Sequence, residues 1–150
     1  VGIKKEIMTA QEQNKKIARQ VFEDIQSDGN ISLIDEIVTK DYVGHTPLGN
    51  LHGPQGAKDF ENILHTAFPD YHVTVEDVIS EGDKVVTRWT GSGTHNGPFQ
   101  GMPATGKQVE MKGLTIFRIV NGKLIEGWTI PDLLGLLQQL GAVPAPNEAN

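Results

Sequence analysis

Hydrophobic positions recur with a helical period in the first half of the chain and with an alternating period in the second, and the change falls near Tyr71. Thr9 and Glu12 stand at the spacing of a capping box, so a helix is predicted to begin there. Ile17, Ala18, Val21, Phe22 and Ile25 follow on one stripe, and Asp28-Gly29-Asn30 ends the run. Leu33, Ile34, Ile37 and Val38 predict a shorter helix over about 32–40, with a brief extended piece at 41–43. The stretch 44–56 is rich in glycine and proline, has no apolar period and reads as a loop. Pro54 then opens a third helix with Ala57, Phe60, Ile63, Leu64 and Ala67 as its stripe, stopped by Pro69.

Strands are predicted at 71–80 and 84–94 around Glu81-Gly82-Asp83, and a loop at 96–106 leads into a long strand. Val109, Met111, Thr115, Phe117 and Ile119 share one face of that strand, and Leu114, Ile116, Arg118 and Val120 share the other. Asn121-Gly122 suits a two-residue hairpin turn, which needs positive φ at both positions. With these two as the loop, Ile119 faces Leu124, Phe117 faces Glu126 and Thr115 faces Trp128. Parity then puts Leu124, Glu126, Trp128, Ile130 and Asp132 on the face of Phe117 and Thr115. Asp132 therefore ends an aromatic-lined face, where LLGLLQQLG begins a short helix closed by Gly141. Helices followed by antiparallel strands predict an α+β domain, with the N-terminal helices packed on a curved sheet as a cone that is open at one end.

The sequence has 150 residues, of which 37% are hydrophobic, enough for one core, and nothing divides it. Residues 1–8 read as a disordered leader, 9–141 as the domain and 142–150 as a mobile tail. A net charge of −6, with no basic cluster, argues against nucleic acid and anionic membranes as partners. No apolar run is long enough to cross a bilayer, and a cytoplasmic location is expected. The absence of cysteine removes disulfides, thiolate nucleophiles and Cys-based metal sites.

The segment from Gly82 onward resembles the SnoaL-like polyketide cyclases (ester cyclases) of the nuclear transport factor 2-like superfamily. The resemblance rests on Gly93-Thr94-His95-Asn96-Gly97, Pro103-Ala104-Thr105-Gly106-Lys107, Phe117-Arg118 with Asn121-Gly122-Lys123, and Trp128 followed four positions later by Asp132. It extends over about 17–141. It implies an intramolecular aldol-type ring closure on a polyketide-like or other small carbonyl substrate, with no cofactor or metal and an aspartate as acid/base. Asp132 stands at the matching position. A hydrophobic small-molecule substrate and a homodimer or homotetramer are the partners implied. Where such proteins often have His before the tryptophan, this chain has Gly127.

Asp132 has two readings. It is the acid/base, kept dry by Trp128, Phe117 and Met111, or it caps the helix that follows. His45 and His95 are candidate substrate contacts beside Trp128, Phe117, Thr115 and Met111, and each histidine is also readable as a structural group, His45 bonded to loop backbone and His95 to the loop that follows it. Arg88 and Arg118 suit either an oxyanion or an outer-face ion pair. Two alternatives to a cyclase remain: an epoxide hydrolase or isomerase on the same cone, and a non-catalytic module that binds small molecules or assembles.

Overall fold

The computed structural model describes residues 7–147. The predicted leader at 1–8 and tail at 142–150 therefore lie partly outside the described residues.

Helix α1 (Ala10–Gln20) starts at Thr9, where the capping box is complete in both directions. The expected single α-helix then changes character: Val21–Ser27 is a π-helix. Its wider turns place Val21, Phe22, Ile25 and Gln26 all toward the sheet. The second helix is shorter than predicted, with one 3₁₀ turn followed by α2 (Ile34–Ile37), because Val38 already belongs to a strand. Strand β1 (Val38–Thr46) and strand β2 (Gly49–His52) occupy most of the stretch read as a loop. They form a hairpin whose stability comes from β1 pairing in parallel with a strand some eighty residues later, a non-local partner that no local pattern shows.

Helix α3 (Gly53–Ala67), β3 (His72–Glu81), β4 (Lys84–Thr94), β5 (Gln108–Val120), β6 (Lys123–Pro131) and α4 (Leu133–Leu140) complete the chain close to their predicted positions. The six strands form one curved sheet in the order β2-β1-β6-β5-β4-β3. The fold is the expected α+β cone. The core lies between the inner sheet face and the helices, where Phe22 packs on Trp89 and Phe117 with ring centroids about 6 Å apart. Trp89 Nε1–H donates to Thr115 Oγ1 at 2.9 Å, so the buried indole is satisfied.

The β5–β6 register corrects one prediction. The turn forms as expected, with Val120 opposite Lys123 and Ile119 opposite Leu124. A β-bulge at Ile125 then inserts one residue, so Phe117 pairs with Gly127 and Thr115 with Thr129. A one-residue slip reverses every later side chain. The inner face of β6 is therefore Leu124, Gly127, Thr129 and Pro131, while Glu126, Trp128 and Ile130 face outward.

Candidate active site

The inner sheet face and the helices enclose an apolar cavity. Its walls come from Phe22, Phe60, Phe68, Trp89, Met111 and Phe117, and its polar lining includes Gln26, Tyr42, Glu61, Tyr71, Thr115 and Thr129. Room for the two tyrosines is made by glycines on the strands. A Cβ on Gly91 would stand 2.3 Å from the Tyr71 hydroxyl, and one on Gly127 would stand 2.7 Å from that of Tyr42. Gly127, the departure from the family pattern, is thus where the Tyr42 side chain sits. Burial raises the pKa of both phenols, with the nearby Glu61 adding to the effect at Tyr71.

Of the predicted substrate contacts, Met111, Thr115 and Phe117 line the cavity, as strand parity indicated. Trp128 does not, because the Ile125 bulge turns it to the outer face. His45 is its neighbour in the parallel β1–β6 register and stacks on the indole at 5.6 Å, with Nε2 2.8 Å from Glu126 Oε2. This is a surface cluster, separate from the cavity. His95 is fully buried, yet it serves the loop that follows β4: both the backbone N–H and the hydroxyl of Thr105 point to its Nδ1, at 3.2 and 2.9 Å. With Nδ1 accepting, the neutral ring carries its proton on Nε2, which has no hydrogen-bond partner among the described residues.

Asp132 is the N-cap of α4, its Oδ1 accepting the Gly135 N–H at 2.9 Å, and its side chain is exposed. The expectation of a carboxylate kept dry by Trp128, Phe117 and Met111 fails, because Asp132 is exposed and the bulge turns Trp128 to the outer face. Asp132 itself is not among the residues that line the cavity, although its chain neighbours Pro131 and Leu133 both do. Arg88 pairs with Asp77 and Arg118 with Asp83, both on exposed positions. No arginine lines the cavity among the described residues, which removes the water-clamping cluster that the epoxide hydrolase alternative needs.

One cavity group escaped the sequence reading. Glu61 on α3 is 5% exposed, and among the described residues lining the cavity it is the one Asp, Glu, His, Lys or Arg. Gln26 Nε2–H donates to its Oε1 at 3.2 Å, while Oε2 has no hydrogen-bond partner among the described residues. Burial pushes the carboxyl up to about 7, against the opposing effects of the Gln26 bond and His65. The signal was present in the sequence: Glu61 lies four residues after Ala57 and three before Leu64, within the apolar stripe of its helix.

Comparison with known proteins agrees with this architecture. The model of the SnoaL-like polyketide cyclase family matches residues 16–140. The aklanonic acid methyl ester cyclase DnrD of Streptomyces peucetius is 33% identical over 98 residues, 65% of this chain and 66% of DnrD. DauD, the cyclase of the same description from Streptomyces sp. strain C5, is 30% identical over 110 residues, 73% of this chain and 67% of DauD. The chain thus spans about two thirds of the length of each relative. A solved structure from Jannaschia sp. CCS1, described as a SnoaL-like polyketide cyclase, superposes with a TM-score of 0.82 at 28% identity, covering 93% of this chain and 99% of that one. With most of its length matched by the family model, the chain belongs to the SnoaL-like polyketide cyclases.

Proposed function

We propose that this protein closes a carbocyclic ring in a polyketide-like substrate by an intramolecular aldol reaction, using side-chain proton transfer with Asp132 as the base. The observation that carries this reading is the position of Asp132: a carboxylate between two chain neighbours that line an apolar cavity, with Oδ1 engaged by the helix cap and no hydrogen bond to Oδ2 among the described residues. The carbon that becomes the nucleophile is flanked by carbonyls, so its proton is acidic enough for a carboxylate to remove. The exposure of Asp132 is compatible with this role, because a hydrophobic substrate seated in the cavity mouth would cover the carboxylate and remove water from it. The apolar walls favour a flat, largely hydrophobic substrate, and the threonine and tyrosine hydroxyls offer hydrogen bonds to its oxygens. Leu114, Ile116 and Ile130, exposed on the outer sheet face, support assembly into a homo-oligomer through that face.

The substrate named for DnrD and DauD, aklanonic acid methyl ester, is the first to test. Ring closure is an isomerisation, so the product should have the mass of the substrate, a different chromatographic retention and one ketone fewer. No conversion of this ester or of simpler polyketide methyl esters, under conditions where DnrD converts its own substrate, would leave the binding-module reading in its place.

A further inference from the structure

We propose that Glu61 is a second catalytic residue of this site, the interior general acid that donates its proton to the carbonyl oxygen under attack as the ring closes. The inference rests on the cyclase reading and divides its chemistry between two carboxyl groups, Asp132 beside the cavity and Glu61 in its wall.

The geometry singles out Glu61. An aldol closure creates an alkoxide where a ketone was, and that oxygen needs a proton inside the cavity, away from solvent. Among the described residues Glu61 is the one carboxyl in the cavity lining, and its Oε2 is buried without a partner. A buried polar atom left unsatisfied costs free energy, and a substrate oxygen would relieve that cost here. The rest of the carboxyl is held in place: Gln26 donates to Oε1 from the π-helical segment, and His65 Nδ1 lies 3.8 Å from Oε2 on the same helix. His65 is itself fixed, its ring nitrogens 2.9 Å from the Glu61 carbonyl and 2.8 Å from the Gln26 carbonyl. Tyr71 approaches from the segment before β3, and no lysine or arginine lines the cavity among the described residues; His65 favours the ionised carboxyl, and burial outweighs it. Burial pushes the carboxyl up to about 7, so a substantial fraction is protonated near neutral pH, as an acid must be.

The step balances. The C–H bond of the nucleophilic carbon breaks and its proton passes to Asp132, a carbon–carbon bond forms to the ketone carbon, and the ketone oxygen takes the Glu61 proton to become the hydroxyl. Asp132 is left protonated and Glu61 ionised, and exchange with water restores both.

The first readout is the 13C chemical shift of the Glu61 carboxyl in the wild-type protein, followed against pH and assigned by its loss in Glu61→Gln. A midpoint near 7 is expected, and a midpoint near 4.5 overturns the proposal without reference to any substrate. The second is kinetic. Wild-type kcat should fall about tenfold per pH unit above 7, and Glu61→Gln should lower kcat at least thirtyfold, leave KM within threefold and abolish that alkaline limb. A Glu61→Gln enzyme with kcat within threefold of wild type overturns the proposal, while loss of turnover in Asp132→Asn alone would leave the cyclase reading standing without it.

Discussion

The hydroxyl of Tyr42 lies 2.7 Å from the point where a Cβ on Gly127 would stand, so the absence of a side chain at 127 and the presence of a phenol at 42 are one feature. Phe117 closes the same space from β5, with ring atoms 3.0 and 3.1 Å from that point. Gly127→Ala should therefore destabilise the protein by about 1–3 kcal/mol through overpacking. In a Tyr42→Phe background the loss should be smaller, because one of the clashing atoms is gone. Urea denaturation of the four proteins in this cycle measures the coupling, and a coupling energy of zero would separate the two residues.

Trp128 and His45 stack on the outer face of the sheet, and His45 reaches Glu126 rather than the cavity. His45→Ala should leave turnover within about threefold of wild type, since neither of its side-chain partners, Trp128 and Glu126, lines the cavity. A loss of tenfold or more in kcat would return the histidine to the substrate side.

Glu61 also links pH to stability. Its carboxyl is raised from 4.5 to about 7 in the folded protein, so between those values the native state binds more proton than the unfolded chain. The contribution is fully present below pH 4.5, is lost progressively as pH rises and levels off above about 7, a change on the order of 3 kcal/mol. Unfolding free energies at pH 4.5 and pH 8 should accordingly differ more in the wild type than in Glu61→Gln. Equal differences would mean that the carboxyl titrates normally in the folded state.

Local chemistry was legible in the sequence, whereas features decided by distant partners were not. The Thr9–Glu12 capping box, the Asn121-Gly122 turn with φ of 51° and 74°, and the Gly141 helix end at φ 80° all appear where the residues announce them. The inner-face set on β5 was readable from alternation alone. The Ile125 bulge left no mark in the pattern, because Leu124, Glu126, Trp128 and Ile130 alternate well enough to mimic an unbroken strand. That one inserted residue moved Trp128 to the outer face and Asp132 out of its expected apolar setting. Glu61 was passed over because a glutamate on a helix is usually solvated, and Ile63, taken as part of the buried stripe, is 55% exposed. Strand β2 and the end of β1 were hidden in a glycine-rich stretch, and the start of β1 in the predicted second helix, because the partner of β1 is β6, far along the chain.

Asp132 has two roles that substitution can separate, since asparagine caps a helix about as well as aspartate but cannot accept a proton from carbon. Asp132→Ala should lose about 1 kcal/mol of stability along with activity, whereas Asp132→Asn should lose activity alone. The most direct measurement is the steady-state rate of ring closure by Asp132→Asn beside the wild type, with thermal unfolding recorded on the same samples. The expected result is a fall in kcat of at least a hundredfold at an unchanged unfolding midpoint. Turnover within threefold of wild type would contradict the assignment of Asp132 as the base.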